Sequence, residues 1–192
     1  EAPKQLEEQL GLVKDAELQA YVRRTGTELA RQSERPELPW RFGVIDDPTP
    51  NAFALPGGPV YITRGLMNLM DSEAELASVL GHEIGHITAR HSAQMITKSQ
   101  LGQIGLLAVI IAEPELAQFG GALMSGMQLL FLKYGRDAER QADELGFKYA
   151  LTENYDVSEM DDVFLSLQRV GVAESRSGIP AWASTPPDPG ER

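Results

Sequence analysis

Apolar side chains recur at helical spacing from Asp15 to about Gln32, where Leu18, Tyr21, Val22 and Leu29 share a face, and the pattern stops before the segment Pro36 to Pro39. The period then changes. Trp40 to Ile45 is aromatic and β-branched, Ala52 to Leu55 is short and apolar, and Pro59 to Thr63 reads as a strand entered through the turn Pro56-Gly57-Gly58. Three short strands predict a small sheet rather than a barrel. After Thr63 the helical period returns, and Ser72-Glu73-Ala74-Glu75 is its clearest start signal, with Ser72 as cap and Glu75 reaching back as a capping box. One long helix is predicted from there to about Gln94. The apolar, glycine-punctuated stretch Leu101 to Leu132 predicts two helices broken near Glu113-Pro114, packed in the core rather than forming a membrane-contacting hairpin. A polar amphipathic helix follows at about Arg136 to Leu151, and another from Val157 to about Val170. The order of elements predicts an α+β fold, mainly α-helical, as a single domain over residues 1–192, with 1–10 and the Ser, Pro and Gly rich stretch 175–192 as flexible or trimmed ends.

Charge narrows the function classes. The 192 residues carry 17 Lys and Arg against 28 Asp and Glu, a net charge of −11, and the longest basic run is Arg23-Arg24, so nucleic acid is excluded as a partner. A hydrophobic content of 42% excludes disorder over most of the length, and a chain of this size buries a core without staples. Cysteine is absent, which removes disulfides, thiolate nucleophiles and Cys-type zinc sites and leaves His and carboxylate to hold any metal. The longest uninterrupted apolar run, Ile104 to Ala112, falls far short of the roughly 20 residues of a spanning helix. The chain begins Glu1-Ala2-Pro3 without an initiator Met or signal peptide, and it reads as a soluble, processed piece whose address has been removed.

One motif carries chemistry. His82-Glu83-Ile84-Gly85-His86 fits H-E-x-x-H and lies inside the long helix predicted independently of it. Residues four apart stand about 40° apart around a helix, so both imidazoles project toward a shared point, and Glu83 sits about 100° further round. Neutral imidazoles suit Zn²⁺, three protein ligands leave one position for a water of near-neutral pKa, and Glu83 can take that water's proton and pass it to a leaving amine. The competing reading is an accidental match on an amphipathic helix. For a third ligand the best supplier is Glu139-Arg140-Gln141-Ala142-Asp143, in which Glu139 and Asp143 share a helix face. Glu139 can bind the metal while Asp143 accepts the free ring N–H of a ligating histidine. The same pair also reads as a solvated acidic face, since Arg136, Asp137, Arg140 and Glu144 lie alongside. His91, about 140° from His86 on a continuous helix, points off the ligand face and reads as a structural or surface residue. Asp46-Asp47 and Glu73 with Glu75 read as solvated acids without a catalytic part.

The ordered blocks Asn51 to Gly58, Tyr61 to Leu66, Glu75 to His86 and Glu139 to Asp143 resemble the zinc metalloendopeptidases related to HtpX, BepA and the CAAX prenyl proteases, over most of the chain from about Gly11 onward. The resemblance implies a zincin-like domain of gluzincin type, whose sheet edges the active-site cleft. It matches His82, His86 and Glu139 to the ligands of one Zn²⁺, Glu83 to the general base and Asp143 to the acid behind a ligand. Asn51, Ala52 and Phe53 fall on the strand bordering the cleft, where an extended peptide adds by backbone pairing. Many relatives have a Ser-Thr-His-Pro-like motif whose histidine reaches the metal site. This chain has Ser184-Thr185-Pro186-Pro187, and proline neither donates a hydrogen bond nor ligates zinc. Arg192, Tyr134 or Tyr149 would then have to serve the oxyanion, with weak activity as the expected consequence.

The combined expectation is a zinc-dependent endopeptidase acting on extended or misfolded envelope proteins. The alternative is a zinc-binding, catalytically weak, chaperone-like module that holds unfolded chains. Kinship implies a polypeptide substrate, a periplasmic or envelope location with a lipid anchor in the precursor, and association with the membrane or with outer-membrane assembly machinery.

Overall fold

Short, largely apolar runs make the sheet, and its central strand is the most buried. The computed structural model describes residues 7–8, 11–97, 100–101 and 135–159. Strands β1 (Arg41–Ile45), β2 (Ala52–Ala54) and β3 (Pro59–Thr63) lie in the order β1-β3-β2. β1 runs parallel to β3, from Arg41 opposite Pro59 to Ile45 opposite Thr63. β2 runs antiparallel to β3, with Ala52 opposite Ile62, Phe53 opposite Tyr61 and Ala54 opposite Val60. Every residue of β3 is buried, which explains why Pro59 to Ile62 do not alternate with polar residues as a half-exposed strand would. The reversal between β2 and β3 needs Gly57 and Gly58, whose φ angles of 96° and 126° few side chains tolerate.

The two edges of this sheet are treated differently. At β1, the Val13 N–H donates to the Val44 carbonyl at 3.0 Å, and Leu12 bridges to Ile45. The Gln19 side chain completes the cover, donating to the Val44 and Val13 carbonyls at 2.8 and 3.0 Å and accepting the Val44 N–H at 2.9 Å. At β2, by contrast, no further strand pairs among the described residues.

Helix α1 (Ala16–Arg31) starts where the Asp15 carboxylate accepts the N–H groups of Glu17 and Leu18, and it lies against β1 and α3. After the short α2 (Arg64–Met67), helix α3 (Glu73–Thr88) starts at Ser72, whose hydroxyl accepts the Glu75 N–H at 3.1 Å. The Glu75 carboxylate reaches back to the Asp71 N–H at 2.6 Å, and this acid is buried rather than solvated. Leu76, Leu80 and Ile84 of α3 join Val22, Leu29, Val44, Val60 and Ile62 in one core.

The helix predicted to run to Gln94 ends at Thr88. Arg90 takes a left-handed φ of 59°, and residues 91–97 begin a new helical segment. Neither glycine nor proline marks this break, so the apolar period alone reads straight through it. Helix α4 (Arg136–Thr152) forms as predicted, and the chain then makes a 3₁₀ turn, Val157–Glu159, at the start of the last predicted helix. The remainder of that helix, the apolar stretch from 102 to 132, Tyr134, Pro186 and Arg192 lie outside the described residues. Among the described residues, no helix is long and apolar enough to cross a membrane.

α3 and α4 meet backbone to backbone. A Cβ on Gly85 would stand 2.8 Å from the Ala142 carbonyl oxygen, and one on Gly146 would stand 2.7 Å from the His82 nitrogen. Small residues four apart on each helix, Gly81 with Gly85 and Ala142 with Gly146, permit this approach. It brings the first turn of α4 across the motif on α3.

Candidate metal centre

The α3–α4 contact gathers the predicted residues. His82 and His86 project from α3 with their Nε2 atoms 2.9 Å apart. Glu139, in the first turn of α4, places Oε2 3.5 Å from His82 Nε2 and Oε1 3.9 Å from His86 Nε2. One ligand atom from each of these residues lies within 4.8 Å of the others. Asp143, one turn along α4, puts Oδ1 2.8 Å from His82 Nδ1. A carboxylate there accepts the Nδ1–H, which turns Nε2 of His82 toward His86 and Glu139.

The electrostatics favour a cation at this point. Burial opposes charge on His82, but hydrogen bonds to Asp143 and Glu139 and the charge of Glu83 outweigh it and push its pKa up to about 10. His86 goes the other way, down to about 2, through burial and the neighbouring His82 and His91. It is therefore a neutral imidazole, the form that ligates a metal. Burial pushes the Glu83 carboxyl up to about 7, with the charge of His82 opposing and that of Glu139 adding to the rise. A carboxylate near 7 is suited to give and take protons at neutral pH. Two imidazole nitrogens and a carboxylate, converging with partners behind the rings, form the donor set of a catalytic zinc site. The residues present fit such an ion.

Asn51, Ala52 and Phe53 fall on and beside β2, which packs against α3. The Asn51 carbonyl accepts the Thr63 N–H at 2.9 Å, and the Leu55 N–H donates to Pro59 at 2.8 Å. By the alternation of an antiparallel ladder, Phe53 bonds inward to Tyr61, and Ala52 and Ala54 turn their N–H and C=O outward. The Phe53 ring rests on Tyr61, 5.6 Å between centroids.

Two expectations change. Tyr149 is fully buried, and its hydroxyl donates to Glu34 and lies 3.0 Å from Thr88 Oγ1, so its one hydrogen is already committed and no oxyanion donor is left there. His91 does not point away from the ligands: it is 5% exposed, with Nδ1 3.0 Å from His86 Nδ1 and Nε2 3.1 Å from Gln141 Oε1. The break at Arg90 undoes the angular reasoning that set it aside. Sequence reasoning also passed over the small residues of the helix contact, although their spacing of four on both helices was a readable signal.

Fold and site together define the metallopeptidase class, and the comparisons with known proteins agree. The profile of peptidase family M48 matches residues 16–192, and the chain belongs to that family. Membership implies a metal ion. The chain is 36% identical to the mitochondrial metalloendopeptidase OMA1 of Arabidopsis thaliana over 70% of its own length and 27% of the relative's. It is 31% identical to the mitochondrial metalloendopeptidase OMA1 of Schizosaccharomyces pombe over 90% and 50% of the two chains. Similarity to the β-barrel assembly-enhancing protease of Escherichia coli is 29% identity over 82% and 34%. The chain thus spans about a quarter to a half of the length of these relatives. The expected kinship with HtpX- and BepA-like metalloendopeptidases holds.

Proposed function

We propose that this chain is a zinc-dependent endopeptidase domain that hydrolyses peptide bonds of extended or misfolded polypeptides. The observation that carries the reading is the convergence of His82, His86 and Glu139 within 4.8 Å, beside a Glu83 carboxyl poised near neutrality. In this reading His82, His86 and Glu139 hold one Zn²⁺, and Asp143 fixes the His82 ring. When bound, the ion supplies Lewis acidity toward a peptide carbonyl and acidifies a water. Glu83 takes the proton of the attacking water and passes it to the leaving amine, so one carboxyl serves as base and then acid.

The substrate lies along β2. Asn51 and Phe53 hold the strand to β3, and Ala52 and Ala54 offer outward backbone groups to an extended chain, which favours unfolded substrates over any particular sequence. Arg192 as an oxyanion donor rests on the sequence alone, as does the single-domain reading of residues 1–192. The envelope location and contact with outer-membrane assembly machinery rest on kinship; the mitochondrial names among the relatives make cell fractionation their test.

Elemental analysis of purified protein, paired with digestion of unfolded casein, tests the function. The reading predicts about one zinc per chain and cleavage that a chelator stops and zinc restores. Zinc without cleavage would instead identify the holding module, and protein without metal affinity would contradict both.

A further inference from the structure

All three histidines of the chain stand in one row. His82 meets His86 through their Nε2 atoms, His86 Nδ1 lies 3.0 Å from His91 Nδ1, and His91 Nε2 lies 3.1 Å from Gln141 Oε1. The backbone places His91 there. α3 ends at Thr88, Arg90 takes its φ of 59°, and the next helical segment starts at His91 itself. A left-handed backbone is strained for a residue other than glycine. At Arg90 that strain turns a side chain back toward the ligands that a continuous helix would carry away.

We propose that His91 is a positioning residue of the metal centre, accepting the Nδ1–H of His86 and so holding that ring with its Nε2 lone pair toward His82 and Glu139. The proton order follows from Gln141. Its Oε1 carries only lone pairs, so His91 Nε2 bears the hydrogen and donates. With its Nε2 hydrogen on Gln141, the Nδ1-unprotonated tautomer of His91 presents a lone pair toward His86, and in that arrangement the hydrogen between the two Nδ1 atoms belongs to His86. The reverse order would put hydrogen on His86 Nε2 and block it as a ligand. Helix α4 thereby orients both imidazoles, His82 directly through Asp143 and His86 through Gln141 and His91, while also carrying Glu139. The two arms differ in kind: a carboxylate stands behind His82, and an imidazole behind His86.

This inference rests on the reading of His82, His86 and Glu139 as metal ligands, and the test separates the two. Zn²⁺ affinity of the full chain is measured by competition with a chromogenic chelator, and imidazole tautomers of the metal-free protein are read by ¹⁵N NMR. His86→Ala and Glu139→Ala should abolish tight binding, which establishes the ligand set. His91→Phe should weaken binding roughly 10- to 100-fold, the usual effect of losing a partner behind a ligand. Gln141→Leu should act in the same direction by a smaller factor, and Gln141→Glu, which keeps an acceptor oxygen, should bind at least as tightly as the parent. The parent should show His86 protonated at Nδ1, and His91→Phe should show a mixture. Gln141 is exposed, so its variants keep the fold and decide the matter even if His91→Phe does not fold. Parental affinity together with the parental tautomer in Gln141→Leu or His91→Phe would reduce His91 to packing and overturn the inference. Tight binding by His86→Ala would instead overturn the ligand reading beneath it.

Discussion

Along the contact of α3 and α4, backbone lies on backbone, and the polar side chains that reach across it, His82 to Asp143 and His91 to Gln141, find partners within the chain. Along the outer side of β2, no strand pairs among the described residues: Ala52 and Ala54 have small side chains and turn their backbone groups outward, while the other edge of the same sheet is closed by Leu12, Val13 and Gln19. In the proposed function the difference separates two tasks. Metal-binding geometry demands rigid placement, since a ligand displaced by an ångström is lost. A strand that receives polypeptides of varied sequence needs only unpaired N–H and C=O groups and room beside them.

The contrast breaks most sharply at Glu139. Glu139→Ala removes the carboxylate that α4 contributes, and zinc affinity should fall by more than the roughly 10- to 100-fold expected for loss of a partner behind a ligand. Metal titration measures it, and the sheet edge should be untouched. Gly146→Ala attacks the helix contact itself. Its Cβ would meet the backbone of His82 at 2.7 Å, and backbone cannot move aside as a flexible side chain can. Urea unfolding should show a loss of about 1–3 kcal/mol, with weaker metal binding as α4 is displaced. Asp143→Ala leaves the contact closed but frees the His82 ring, and zinc affinity should fall by roughly 10- to 100-fold with little change in urea midpoint. Ala52→Pro sharpens the other side. It deletes an outward N–H on an edge strand, where proline is tolerated. KM for an extended peptide should rise about 2- to 10-fold, the worth of one hydrogen bond, with kcat and stability retained.

Much of this is legible in the sequence. The period of the apolar residues marked α1, the strands, α4 and the start of α3, because each buries a face whose spacing the sequence displays. The motif His82 to His86 showed its chemistry because four residues of helix suffice to converge two rings. By spacing alone Glu139 and Asp143 also fit a solvated face; the resemblance favoured the site, and the interhelical contact that brings them to His82 is not encoded in local spacing. His91 was misread for the complementary reason. Its placement depends on one left-handed residue, Arg90, and arginine carries no signal of that conformation. The covering of β1 by the Gln19 amide was equally hidden, because a lone polar residue on a helix reads as surface.

The most direct test of the account is Glu83→Gln, assayed for zinc content and for casein cleavage in the same preparation. Glutamine keeps the shape but cannot carry the proton, so the account predicts about one zinc per chain and a rate lowered roughly 10²- to 10⁴-fold. A variant that retains zinc and digests casein as fast as the parent would contradict it.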